Sequence, residues 1–148
     1  MDIKTLLTNG EVWYNIPGKD ASEYIENFIR AIKLPPAISR PDLLQACLRR
    51  ESSSSTAMGQ GLAFPHPGMP MAKTPEDACI ALSYPRFPVP WKAPDDLPVK
   101  AVFLIISSSR NEHLSVLSAL ARLCEQERFY KALMNEAPLN AILDFIKE

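Results

Sequence analysis

The chain has 148 residues, of which 47% are apolar, and its 16 basic residues nearly balance 17 acidic ones to give a net charge of −1. This length and apolar content predict one domain spanning residues 1–148, because single domains commonly contain about 100 to 150 residues. The near-neutral charge gives no electrostatic reason to expect a nucleic-acid partner, and the lack of both a secretory signal and a run of about 18 apolar residues predicts a cytoplasmic protein with no direct membrane insertion.

The first half of the chain alternates between extended and helical patterns. Residues 11–16, followed by Pro-Gly, predict a strand and a turn. Residues 20–32 predict an amphipathic helix, because an aspartate cap with glutamate three residues later precedes apolar residues at helical spacing. The two prolines at 35–36 end that helix, and residues 39–48 predict a second one with a serine cap and an apolar stripe.

The second half contains the apolar segments expected of a sheet. Three segments predict strands: residues 62–64, 78–84 and 101–106. The last is rich in β-branched residues, which is typical of a central strand buried on both faces. Three helical segments follow it, beginning at residue 111 and near residues 129–134 and 139–146. This order predicts an α/β fold, a three-layer α/β/α domain with a mixed β-sheet flanked by helices.

The three cysteines, Cys47, Cys79 and Cys124, are far apart in sequence and lie among apolar residues. That setting predicts buried, reduced thiols rather than disulfides. The chain has no Cys-x-x-Cys spacing of the kind that holds zinc, so the cysteines give no reason to expect a metal site.

The two histidines of the chain each lie in a distinctive block. His66 ends the segment GQGLAFPH at residues 59–66, and His113 opens the helix that begins at residue 111. Pro65 restricts Phe64 to extended geometry, so we expect His66 at the end of a strand, facing solvent. A neutral imidazole in such a place can attack phosphorus and hold the phosphoryl group as a phosphoramidate. The structural alternative, a turn residue and a capping or packing group, remains open at this point.

Groups able to bind a phosphoryl anion are close to His66 in sequence. Arg50 offers a planar fork to phosphate oxygens, and Ser55, Thr56 and the loop amides that follow offer further donors. His113 lies in a first helical turn, where the helix dipole disfavours imidazolium, so it can donate one hydrogen bond as a neutral ring. The serine-rich residues 52–56 are equally compatible with a polar loop that has no binding role.

Two other reaction types fit the sequence poorly. A zinc hydrolase built on His66, His113 and Glu112 is disfavoured, because Glu112 and His113 are adjacent and point to different faces of a helix. Serine nucleophile chemistry is disfavoured because the chain has no Gly-x-Ser-x-Gly elbow.

A family resemblance covers nearly the whole chain. Glu51, followed after six residues by MGQGLAFPH at residues 58–66, resembles the active-site signature of enzyme IIA components of the bacterial phosphotransferase system, of the type 2 group that serves fructose, mannitol and nitrogen regulation. Residues 103–123 resemble the strand and helix that carry this family's second active-site histidine. Arg50 stands sixteen residues before His66, where the family's active-site arginine is expected.

The resemblance implies a phosphotransferase in which His66 is the phosphorylated residue. It also implies that His113 and Arg50 position and neutralise the phosphoryl group, with Ser55 and Thr56 as phosphate-binding support. The donor would be a histidine-phosphorylated carrier protein, and the acceptor an enzyme IIB domain or a regulated target protein. This reaction needs no organic cofactor, and no metal site is visible.

The chain departs from the family pattern at two positions. Pro67 follows His66 where the family usually has Gly, Ala or Cys, and Phe64 is bulkier than the usual aliphatic residue. Proline removes a backbone N–H that could meet a phosphate oxygen, and it stiffens the exit from the strand.

An alternative function is a regulatory binding module that controls a partner protein by contact, with phosphorylation of His66 as its switch or lost. A phosphoryl group would add negative charge to the contact surface and repel a partner. Phe64, Met69, Met71 and Trp91 are the residues expected around such a contact, although Phe64 also suits the core. The sequence does not identify a sugar.

Overall fold

A computed structural model describes residues 2–146 of the chain. The elements are, in chain order, α1 (Ile3–Gly10), β1 (Val12–Ile16), α2 (Ala21–Ala31), α3 (Arg40–Ser53), β2 (Ala57–Gly59), β3 (Leu62–Ala63), a 3-10 turn (Pro75–Asp77), β4 (Cys79–Pro85), β5 (Ala101–Ile106), α4 (Arg110–Cys124), α5 (Glu127–Met134) and α6 (Leu139–Asp144).

The five strands within residues 2–146 form one mixed sheet in the order β1-β4-β5-β3-β2. β1 pairs with β4 and β3 with β5 in parallel, whereas β4 with β5 and β2 with β3 are antiparallel. Every residue of β4 and β5 is buried, as predicted for the apolar segment 101–106. The register of β1 on β4 is irregular between Trp13 and Ile16. The mixed α/β fold predicted from the sequence is confirmed.

Adjacent residues of β4 show that helices cover both faces of the sheet. The hydroxyl of Ser83 lies 2.7 Å from that of Tyr24 on α2, whereas the Tyr84 hydroxyl donates to the carbonyl of Ala137, between α5 and α6, at 2.8 Å. Successive side chains of a strand point to opposite faces, so α2 and the α5–α6 region lie on opposite sides. α3 packs on α2, while α1, α4, α5 and α6 contact one another, giving three layers.

Helix α2 forms where its pattern predicts it. The Asp20 carboxylate accepts from the Glu23 amide at 2.9 Å, a cap that contributes about 1 kcal/mol. Four side chains on one face are 0–1% exposed: Tyr24, Ile25, Phe28 and Ile29. Burying each contributes roughly 1.5–3 kcal/mol, so packing exceeds capping as the source of stability. The guanidinium of Arg40, at the start of α3, donates to the carbonyl of Ile29 in the last turn of α2 and, at 2.8 Å, to that of Ile32, which caps the helix.

The sequence analysis missed one helix and one strand. Helix α1 is capped by Asp2, whose side chain accepts from the Thr5 amide at 2.8 Å. Strand β2 forms a hairpin with β3 across Gln60 and Gly61, which have φ of 56° and 82°. Positive φ at both central residues is typical of a tight two-residue hairpin turn, so the glycine-rich segment is a turn rather than an open loop.

The described cysteines are free and buried, as predicted. Burial raises the pKa of each thiol, Cys47, Cys79 and Cys124, to about 12. The thiolate, which is the reactive form, is therefore nearly absent at neutral pH.

Candidate active site

The two histidines lie at the same end of the sheet, because they follow β3 and β5, which are parallel neighbours. His66 follows β3, and the segment between them continues alongside β5, since the Ile105 amide donates to the Pro65 carbonyl at 3.0 Å. His113 lies in the first turns of α4, which begins shortly after β5 ends. Chemistry in α/β folds is commonly found at such carboxyl ends of strands.

The imidazole rings of His66 and His113 are in contact, with centroids 4.5 Å apart and planes inclined by 49°. His66 is 9% exposed and His113 is half-buried. The expectation that His66 faces solvent is therefore wrong, because most of the residue is buried. Only a small part of the residue is accessible, and its ring lies against that of His113.

A backbone contact fixes the protonation of the His66 ring. Its Nδ1 lies 2.9 Å from the carbonyl oxygen of Phe64. A carbonyl oxygen can only accept, so in the neutral ring Nδ1 carries the hydrogen and donates it. The lone pair is then on Nε2, which is the nitrogen able to act as a nucleophile.

The surroundings favour the neutral form of both rings. Burial lowers the pKa of His66 and the Arg50 charge lowers it further, against opposing effects of the Phe64 carbonyl and the Glu51 charge. Burial, followed by the nearby His66 and Arg50 charges, lowers the pKa of His113 to about 4. A neutral ring at His66 keeps its nucleophilic lone pair, and a neutral ring at His113 adds no positive charge to the site before an anion arrives.

Arg50 lies in the last turn of α3, next to the segment that follows His66. Its Nη1 donates to the carbonyl of Ser54 at 2.8 Å and contacts that residue's hydroxyl at 3.3 Å. Gly68, at φ 80°, lies against the aliphatic part of Arg50, and a depression of about 200 Å³ between them also borders Pro67 and Met69. The Arg50 charge is close enough to lower the pKa of both His66 and His113, so the structure brings the three residues together.

Ser55 and Thr56 are engaged in local hydrogen bonds. The Ser55 hydroxyl accepts from the Ala57 amide at 3.1 Å. Thr56 is 5% exposed; its amide donates to Oε2 of Glu51 at 2.8 Å, and its hydroxyl to Oε1 at 2.5 Å. Phosphate binding by Ser55 and Thr56 stays a prediction. For Thr56 to bind phosphate, its amide and its hydroxyl would first have to release Glu51.

Glu51 is the residue whose contacts the sequence analysis did not anticipate. Besides Thr56, its Oε2 accepts from the indole Nε1 of Trp91 at 3.1 Å. A signal existed in the sequence, because a tryptophan in an apolar environment needs an acceptor for its N–H group. Which carboxylate would supply that acceptor depends on the fold and not on local pattern.

The start of α4 is tied to β5 by a capping arrangement. The Ser109 hydroxyl accepts from the Glu112 amide at 3.0 Å, and the Glu112 carboxylate accepts from the amide and hydroxyl of Ser108 at 2.8 and 3.0 Å. Nδ1 of His113 lies 3.5 Å from the Ser107 hydroxyl, a long contact that restrains the ring weakly. Glu112 thus has a capping role.

Two structural properties bear on other kinds of site. Among residues 2–146, no group of three or more His, Cys, Asp or Glu side chains is placed to hold a metal ion. In the same part of the chain, no helix combines the length and the apolar character needed to cross a bilayer.

Solved structures share this fold. The nitrogen regulatory protein IIA-Ntr of Neisseria meningitidis superposes with a TM-score of 0.79 at 25% identity, covering 98% of this chain and 99% of that one. Mannitol enzyme IIA of Escherichia coli, in complex with phosphorylated enzyme IIB, superposes with a TM-score of 0.67 at 18% identity, covering 92% and 93% of the two chains. The fold is therefore that of the phosphotransferase-system IIA proteins.

The family follows from sequence comparison. The family described as phosphoenolpyruvate-dependent sugar phosphotransferase system, EIIA 2, matches residues 5–148, and the chain belongs to it. The fructose-specific EIIABC component of Bacillus subtilis is 32% identical over the whole of this chain, which spans 23% of that relative's length. A nitrogen regulatory protein of Pseudomonas aeruginosa is 25% identical, over 96% of this chain and 95% of the relative. The resemblance inferred from the sequence is confirmed.

Proposed function

We propose that this protein is a phosphohistidine phosphocarrier: His66 accepts a phosphoryl group from a histidine-phosphorylated carrier protein and passes it on within a phosphoenolpyruvate-dependent phosphotransferase system. One observation supports this most directly. The bond from Nδ1 of His66 to the Phe64 carbonyl leaves the Nε2 lone pair as a nucleophile, beside the neutral ring of His113.

The transfer requires one bond to form and one to break. The Nε2 lone pair of His66 attacks phosphorus, and the electron pair of the breaking P–N bond returns to the ring nitrogen of the donor's phosphohistidine. His66 retains the hydrogen on Nδ1 throughout, and its ring then carries positive charge next to the phosphoryl dianion. The transition state is loose, so the protein contributes mainly alignment and charge stabilisation.

His113 and Arg50 would supply that stabilisation. The phosphoryl dianion raises the pKa of His113 from its low value, so the ring becomes a better hydrogen-bond donor as the anion arrives. The guanidinium of Arg50 can meet two phosphate oxygens at once. Ser55 and Thr56 support the adjacent segment; the Ser55 hydroxyl is proposed as an additional phosphate ligand, whereas Thr56 keeps its bonds to Glu51.

We propose an enzyme IIB domain or a regulated target protein as the acceptor, in the cytoplasm. The relatives suggest two settings, since one is named as a fructose-specific component and another as a nitrogen regulatory protein. Met69 and Leu114, 55% and 58% exposed, flank the histidines in sequence and suit contact with a partner.

Two residues expected at such a contact are not available for it. Phe64 and Trp91 are 2% and 7% exposed, so they belong to the core. A pull-down that compares wild type with His66→Asp would test contact control, and identical partner sets from the two proteins would contradict a charge switch at His66.

Labelling tests the phosphocarrier function. Incubation with labelled phosphoenolpyruvate and the general phosphotransferase proteins should place acid-labile phosphate on wild type and none on His66→Ala. Arg30→Ala, which removes an exposed side chain of α2, is the control and should be labelled like wild type. Equal labelling of wild type and His66→Ala would contradict the proposal.

A further inference from the structure

A continuous set of hydrogen bonds leads from the loop after β4 to the ring of His66. At its outer end, the Trp91 indole and the Thr56 amide both donate to Oε2 of Glu51, at 3.1 and 2.8 Å, and the Thr56 hydroxyl donates to Oε1 at 2.5 Å. The carboxylate of Glu51 thereby joins α3, the start of β2 and the loop that carries Trp91.

The inner end of this set passes through one backbone residue. The Thr56 carbonyl accepts from the Phe64 amide at 3.0 Å, and the Phe64 carbonyl accepts from Nδ1 of His66 at 2.9 Å. Phe64 itself is 2% exposed and packs edge-on against Phe103. The position of the Phe64 peptide therefore determines the hydrogen bond that fixes the His66 ring.

A carboxylate is well suited to the centre of this arrangement. It only accepts hydrogen bonds, so it orients all three donors toward itself. Thr56 and Trp91 are 5% and 7% exposed, and polar groups at such depth are costly to leave unpaired. Loss of Glu51 would leave three donors to find other acceptors, and the backbone hydrogen bond from the Phe64 amide to the Thr56 carbonyl would loosen.

We infer that Glu51 is a positioning residue for His66: through Thr56 and Phe64 it holds the ring in the Nδ1–H tautomer that presents Nε2 to the incoming phosphoryl group. The claim that Nε2 is presented to a phosphoryl group rests on the proposed phosphocarrier function. The claim that Glu51 holds the tautomer of His66 concerns the unphosphorylated protein alone. Trp91 provides an optical signal of the same contact, because its indole N–H donates to Glu51.

The test is nitrogen NMR of the two histidine side chains in unphosphorylated protein, combined with the initial rate of phosphoryl labelling. In wild type, His66 should show a protonated Nδ1 and an unprotonated Nε2. In Glu51→Ala this signature should give way to a mixture of tautomers, and labelling should slow by about tenfold, because a misplaced reacting group can cost up to about 100-fold in rate. Glu26→Gln, on the exposed face of α2, is the control and should match wild type in both.

Glu51→Gln separates the effect of the Glu51 hydrogen bonds from the effect of its charge. It also provides a test if Glu51→Ala does not fold. The amide oxygen can accept from Thr56 and Trp91 while the amide nitrogen donates to the Thr56 hydroxyl, so the tautomer should be retained. The Glu51 charge raises the pKa of His66, so removing it should lower that pKa in an NMR titration. Glu26→Gln should leave the titration unchanged.

The outcomes distinguish this proposal from the phosphocarrier function. A folded Glu51→Ala with the wild-type tautomer, or a Glu51→Gln that loses the tautomer although Thr56 and Trp91 keep an acceptor, would overturn the positioning role. Wild-type protein that takes no label while Glu51→Ala still changes the tautomer would support positioning and contradict the phosphocarrier function. Trp91→Phe, compared with Trp13→Phe as the other indole in the chain, should alter the His66 signals where Trp13→Phe does not.

Discussion

The two histidines of the site are held in different ways. His66 is 9% exposed, bonds to a backbone carbonyl at 2.9 Å, and is connected through hydrogen bonds to Glu51. His113 is half-buried, and its ring meets the Ser107 hydroxyl at 3.5 Å. A nucleophile benefits from a single fixed tautomer, whereas a ring that stabilises an arriving anion benefits from freedom to adjust its proton and orientation. The ring with the shorter hydrogen bond is therefore the one at which the covalent bond is proposed to form.

The largest expected effect separates the roles of the two rings. His113→Ala should still be labelled on His66 but about 100-fold more slowly, which is the usual scale for removing one charge-stabilising donor. His113→Gln should lose less, because its amide can still donate. Initial labelling rates measure both, and a His113→Ala protein labelled at the wild-type rate would show that the second ring has no part in the transfer.

A smaller effect is expected at Arg50, whose positive charge lies near both histidine rings. Arg50→Lys keeps the charge but loses the planar fork, and a charge-assisted hydrogen bond contributes about 1.5 kcal/mol, so labelling should slow by about tenfold. Arg49→Lys, the same change on the exposed neighbouring residue, is the control. Equal rates for the two variants would mean that Arg50 acts only as a charge.

The smallest effect concerns stability and pH. The pKa of His113 is about 4 in the folded protein and about 6.5 when unperturbed, so the unfolded chain binds more protons between these values. The free energy of unfolding should be highest above pH 6.5 and should fall by about 1 kcal/mol by pH 5, allowing for solvent screening at this half-buried ring. Urea unfolding at pH 7 and 5 measures this fall, and His113→Gln should reduce it. If the free energy of unfolding of His113→Gln falls with pH as much as that of wild type, other titratable groups cause the fall.

Local sequence pattern was sufficient for the elements that carry strong signals. Helix α2 has both a cap and a full apolar face, and β5 is a continuous apolar run, so each was predicted. Helix α1 has eight residues and buries its apolar pair, Leu6 and Leu7, only by packing beside β4. Gly10 shows this dependence, since a Cβ there would lie 2.0 Å from the Ile80 carbonyl oxygen. Such contacts belong to the tertiary fold and have no local signature.

The same distinction applies to the site. The meeting of His66, His113 and Arg50 was predicted because the blocks that carry them resemble the active-site blocks of the family. The depth of His66 and the contacts of Glu51 were not predicted. Burial of His66 depends on what packs over the end of β3, and the Glu51–Trp91 bond joins residues forty positions apart in sequence.

The two outer strands of the sheet have a consequence for solubility at high concentration. Unpaired strand edges can recruit strands from other molecules and start aggregation. In residues 2–146 one edge is β2, three residues long, and the other is β1, where Asn15 at φ 59° interrupts the ladder and is held by Arg86 at 3.0 Å. Neither edge offers a long flat template for strand addition, so aggregation through the edges of the sheet is disfavoured.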